Sequence, residues 1–208
     1  MRSPKQAASR NVRRWSCLAG VVLAGSFVVG SGPHAVATLG VAPAGAMAGP
    51  AELAPAFEPF RPLVGYAWEI DGAWTNGNPL RARNEYRVGL NGNFVTVDTF
   101  VSDGDGGEYQ RYHSIVARHP SEPGVLQIHG FTYDGSVDIA DMKIIGDGAH
   151  PIMRVTGERK LPDGTFLALR QEVQLTSDTS FAWKVWSVAP EGESQLMDGT
   201  YNRGRKLD

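Results

Sequence analysis

Asp98, Arg111, His113 and His129 are the side chains best suited to chemistry, and two hairpins decide whether they meet. Alternation along a strand puts Phe94, Thr96, Asp98 and Phe100 on one face, with Val95, Val97, Thr99 and Val101 behind them. By the same rule Tyr109, Arg111, His113, Ile115 and Ala117 oppose Gln110, Tyr112, Ser114 and Val116. On the next strand Val125, Gln127, His129, Phe131 and Tyr133 oppose Leu126, Ile128, Gly130 and Thr132. A turn in "SDGDGG" centred between Gly104 and Asp105 sets Asp98 opposite Arg111 and Thr96 opposite His113. A turn in "HPSEPG" centred on Ser121 sets His113 opposite His129.

The shared face then carries a carboxylate, a guanidinium and two imidazoles, framed by aromatics that include Phe94 and Phe131. Pointing inward, it makes a ligand site formed by Asp98, Arg111, His113, His129, Phe94 and Phe131, with aromatic walls and a few convergent polar groups. Asp98 would orient Arg111 by a charge-assisted pair, and either histidine would exchange a proton near neutral pH. Pointing outward, the aliphatic reverse is the core and the polar groups are solvated cross-strand pairs. The aliphatic set has the composition of ordinary core, which favours the outward orientation.

Other candidates carry less. His119 and His150 each precede a proline and read as turn residues. Asp98, His113 and His129 have no spacing characteristic of zinc, so no metal is expected. "DGDGGE" lacks the distal acidic residue of a calcium loop, and Ser114 and Ser187 have no nucleophile-elbow context. No phosphate-cradling or dinucleotide pattern appears, and no cofactor is expected.

These residues must be held by strands. Turn signals recur at "TNGNP", "LNGN", "SDGDGG", "HPSEPG", "YDGS", "GDGAHP", "LPDG", "TSDTS" and "APEGES", between short segments rich in β-branched and aromatic residues. They predict about ten strands, near residues 65–74, 81–88, 93–101, 108–119, 125–133, 137–145, 152–160, 165–176, 181–188 and 195–203. The fold class is all-β. An up-and-down barrel removes the edges that a flat sheet of ten strands would expose, and a two-sheet sandwich is the alternative.

The first 48 residues hold Arg2, Lys5, Arg10, Arg13 and Arg14 and no acidic residue, followed by an apolar run from Cys17 to Gly30. That order is a secretory leader, cleaved after residue 37 or, alternatively, after 48, by the general or the twin-arginine route. The run is too short to span a bilayer as a helix, so no stable membrane insertion is expected after leader removal. Residues 38–59, rich in Ala, Gly and Pro, read as a flexible linker, and 60–208 as the domain. Cys17 is the only cysteine, so the mature chain has neither disulfide nor thiolate chemistry. All 22 acidic residues but only 15 of the 20 Lys and Arg lie beyond residue 48, leaving a formal charge of −7. That disfavours a nucleic-acid partner.

"PLVGYAWEIDGAWTNGNPL", "YRVGLNGNFVTV", "YHSIVARHP", "QIHGFTYDG" and "MDGTYNRGRK" together resemble a group of uncharacterised bacterial exported proteins with a lipocalin-like, or calycin, β-barrel. The resemblance covers nearly all of 60–206. It implies an exported, periplasmic or extracellular protein enclosing a small apolar ligand. Calycins place Gly-x-Trp on the first strand, whereas this chain has Gly65-Tyr66-Ala67-Trp68. The extra residue moves Trp68 to the opposite face unless a bulge absorbs it, and Trp74 is the second candidate for the barrel plug. A heme-binding barrel group is a more remote likeness whose axial histidine has no match here. The expected function is small-molecule binding. An enzyme of the same fold using histidine acid–base chemistry, and an envelope-interaction module, are the alternatives.

Overall fold

The computed structural model describes residues 52–146, 150–161 and 164–208. The expected leader, Cys17 and the expected linker up to residue 51 lie outside the described residues. The turn chemistry converts the chain into ten strands: β1 (Tyr66–Ala73), β2 (Pro79–Gly89), β3 (Phe94–Ser102), β4 (Glu108–Arg118), β5 (Val125–Thr132), β6 (Val137–Ile145), β7 (Ile152–Lys160), β8 (Phe166–Ser177), β9 (Ser180–Ala189) and β10 (Gly192–Lys206). Each is antiparallel to its sequence neighbours, and β1 pairs with β10, so the sheet closes into an up-and-down barrel with no free edge.

The packed domain begins before the expected boundary at Phe60. A short 3-10 helix, Pro55–Phe60, lies across one end of the barrel, and Leu53, Phe57, Phe60 and Leu63 are buried there. The amide of Ala54 donates to the Gly92 carbonyl at 3.0 Å, tying this segment to the β2–β3 turn. Gly92 has φ +86°, and a Cβ there would stand 1.9 Å from the Glu52 carbonyl oxygen. Only glycine fits this approach.

Trp68 belongs to the same plug. The β1–β10 register shifts between the Tyr66–Lys206 and Trp68–Arg203 pairs, a bulge whose extra residue lies on β10, while β1 stays in continuous register with β2 from Ala67 onward. Trp68 is in phase with buried Ile70 and turns inward. Its ring is fully buried, packs 5.1 Å from Phe181 and donates Nε1–H to the Leu63 carbonyl at 3.0 Å.

The wall is less uniform on the far side. The β6–β7 ladder runs from Ile145–Ile152 to Asp141–Thr156 and stops, although both strands continue to Val137 and Lys160. Along Val137–Ala140 and Gly157–Lys160 the two strands run without pairing to each other.

Candidate functional site

The aliphatic faces are the inner ones. Val97, Thr99 and Val101 from β3, Tyr112, Ser114 and Val116 from β4, and Ile128 and Gly130 from β5 line a cavity of about 160 Å³. Leu80, Met142, Met153, Val155, Val173, Phe181 and Trp183 complete its apolar walls, and Phe60 and Leu63 form its floor against the 3-10 helix.

A few polar groups interrupt this surface. Trp183 donates Nε1–H to Gln171 Oε1 at 3.1 Å, which fixes both side chains on the cavity wall. The Oδ1 of Asn84 is buried without a partner. Tyr86 and Tyr201 lie near Asn84, and burial holds both hydroxyls neutral, pushing Tyr86 to about 12 and Tyr201 higher still.

A second polar group stands at the end away from the 3-10 helix. Asp138 alternates with Ala140 and Met142 on the inner face of β6 and pairs with Gly130, whose missing side chain leaves room beside it. Its side chain is fully buried and neither carboxyl oxygen has a hydrogen-bond partner. Burial raises its pKa to about 7, against the pull of the Arg159 guanidinium and with a small push from Asp134. Continuing the β6–β7 register places Arg159 opposite Asp138, where the strands no longer pair. Yet the two form no ion pair, and Arg159 Nη1 is buried and unpartnered. Tyr112, on the cavity wall, joins the group: Arg111 Nε donates to its hydroxyl at 3.1 Å. Burial raises the Tyr112 pKa, and the nearby Arg111 and Arg159 charges oppose the rise.

The residues expected to form the site lie elsewhere. Asp98, His113, Phe131 and Phe94 are on the outer wall, because their alternates face the cavity. Asp98 Oδ1 lies 2.7 Å from His113 Nδ1 and accepts from Gln110 Nε2 at 2.7 Å, while Oδ2 accepts from Arg87 at 3.1 Å. Phe131 is 43% exposed, beside the His113 ring.

Both expected registers shift. The "HPSEPG" turn is centred one residue later, so His113 faces Phe131 and His129 faces Ile115. In β4 a bulge leaves Arg111 unpaired between Gln110, opposite Phe100, and Tyr112, opposite Thr99. Arg111 thus leaves the Asp98 face and stacks on Tyr133, 4.4 Å from the ring centre. The structure brings Asp98 and His113 together and leaves Arg111 and His129 apart from them. None of Asp98, Arg111, His113, His129, Phe94 or Phe131 lines the cavity.

Sequence reasoning missed Asp138, Arg159, Asn84 and Gln171. The signal for Asp138 is its position between Val137 and Ile139, in phase with Ala140 and Met142. Alternation makes it inward once Met142 is assigned to the core.

The fold has a counterpart among solved structures. The crystal structure of Rv2717c from M. tuberculosis superposes with a TM-score of 0.52 at 15% identity, covering 74% of this chain and 100% of that one. At that identity the likeness shows the barrel alone. No family model and no curated protein matches the chain. The class defined by fold and site is a closed ten-stranded antiparallel β-barrel with an apolar cavity, compatible with ligand binding.

Proposed function

We propose that this is an exported protein that binds a small, largely apolar molecule inside its barrel. The observation that carries the reading is the cavity. Its walls are Leu, Val, Ile, Met and aromatic side chains, interrupted by Asn84, Ser114, Thr99 and Gln171, the make-up of a small-molecule site. A cavity of this size matches a single aromatic ring, since an apolar void of about 150 Å³ holds benzene. Export rests on the leader's basic start and apolar run.

Trp183 reports occupancy directly because it lines the cavity. Titration of the purified domain with benzyl alcohol, toluene and related single-ring compounds should change its fluorescence saturably. Val155→Phe, which fills the cavity, should abolish that change. A domain that binds no member of such a panel, whether neutral, acidic or basic, overturns the reading. Terminal sequencing of the protein secreted from a bacterial host tests export, and a full-length product retained in the cytoplasm contradicts it.

A further inference from the structure

We propose that the ligand is a small carboxylate with an apolar body, its body in the cavity and its anionic head held by Arg159, Arg111 and the Tyr112 hydroxyl beside Asp138. The inference rests on the interior-binding reading and names the chemical class that reading leaves open.

The argument begins with how the arginines are partnered. On the outer wall Arg83, Arg87, Arg154, Arg170 and Arg205 are each ion-paired to a glutamate or aspartate. Among the described residues neither Arg111 nor Arg159 has a carboxylate within ion-pair distance, although both lie beside Tyr112. Arg111 makes only hydroxyl contacts, to Tyr112 at 3.1 Å and Tyr109 at 3.3 Å, and stacks on Tyr133. Arg159 keeps one buried N–H with no acceptor. Buried donors without partners are costly, so this cluster is built to receive an acceptor that the chain does not supply. A carboxylate matches the forked geometry of a guanidinium.

The head group would sit within reach of the cavity. Tyr112 and Gly130 both line it, and Asp138 pairs with Gly130. Asp138 is the buried carboxyl in the cluster, with Asp134 at its exposed edge, and it sets the pH behaviour. In its acid form it donates a hydrogen bond to a bound carboxylate; ionised, it repels one. The groups facing Asp138 are Arg159 from β7, Asp134 from the β5–β6 turn, and Tyr112 with Arg111 from β4, while β5 presents Gly130. Two guanidiniums against the Asp134 carboxylate and a half-neutral Asp138 still leave the cluster net cationic, which favours an anion over an amine.

The test compares benzoate, benzyl alcohol and benzylamine by Trp183 fluorescence and calorimetry at pH 6 and pH 8. Benzoate should bind at least about tenfold more tightly than benzyl alcohol at pH 6, the worth of one charge-assisted contact, and should weaken at pH 8. Arg159→Gln should bring the benzoate to benzyl alcohol ratio close to one, and Arg159→Lys should restore part of it. Asp138→Asn should hold benzoate affinity constant between the two pH values. Arg111→Gln is the second, independent variant, and near-UV circular dichroism reports folding of each. Equal binding of benzoate and benzyl alcohol overturns the carboxylate inference while leaving the cavity reading standing. Preference for benzylamine overturns it in favour of Asp138 as a counter-ion. Failure of all three to bind removes the cavity reading itself.

Discussion

Asp138 and Arg159 stand opposite each other where β6 and β7 have ceased to pair, and they do not form an ion pair. A fully buried acid beside an unclaimed guanidinium has consequences for stability and for the interior.

The first concerns pH. Asp138 has a folded pKa of about 7 against an ordinary value of 3.8, raised by burial. Between those values the folded chain binds more protons than the unfolded one, so this group's stabilising contribution is fully present below pH 4 and lost as pH rises through 7. The difference amounts to ~4 kcal/mol. Asp138→Asn should remove that dependence and raise stability at pH 8 by up to about 4 kcal/mol. Urea unfolding of both proteins from pH 5 to pH 8 measures this. Parallel curves would show that Asp138 does not titrate in this range.

The outer-wall pair should behave otherwise. Asp98 and His113 are hydrogen-bonded at 2.7 Å on a partly solvated face. His113→Ala should change stability by no more than about 1 kcal/mol, as expected for an exposed pair. It should leave the binding of single-ring probes unaltered. A large loss of probe binding in this variant would place the site on the outside of the barrel.

At the closed end, Trp68 combines burial with a hydrogen bond to the Leu63 carbonyl. Trp68→Phe should cost roughly 1 kcal/mol or somewhat more, chiefly from the orphaned carbonyl. Trp68→Ala should cost about 3 to 5 kcal/mol by opening a void beside Phe181. Thermal denaturation in parallel ranks the two.

Gly92 offers a local test. A Cβ would collide with the Glu52 carbonyl and φ is positive, so Gly92→Ala should destabilise by more than about 1 kcal/mol. It should also increase proteolytic cleavage ahead of Pro55. Unchanged cleavage would show that the contact with residues 52–54 does not secure the segment.

Much of this barrel is legible in the sequence. Regular turns of Gly, Asp, Asn and Pro mark all ten strands, and alternation sorts β3 and β5 onto correct faces, because Val97, Val101, Leu126 and Ile128 declare the core. What escapes is register. Bulges add one residue to β10 between Arg203 and Lys206 and to β4 at Arg111, and a bulge inverts the face of everything beyond it with no compositional mark. The interior site escapes for a related reason. In Val137–Met142 both faces are partly apolar, and the carboxyl of Asp138 points to the side on which charge is least expected. Arg159 is equally unmarked, since its inward placement depends on Val155 and Met153 being core.

The early end of the β6–β7 ladder gives the closed barrel a seam. Most neighbouring strands are joined over most of their length, but here, as at the β1–β10 closure where pairing ends at Glu69 and Asn202, the ladder covers only part of the two strands. A cylinder fastened unevenly yields first where its ladders are short. One such stretch runs beside Asp138 and Arg159, so the side chains proposed to meet a ligand's head group also border a place where the wall has few main-chain ties.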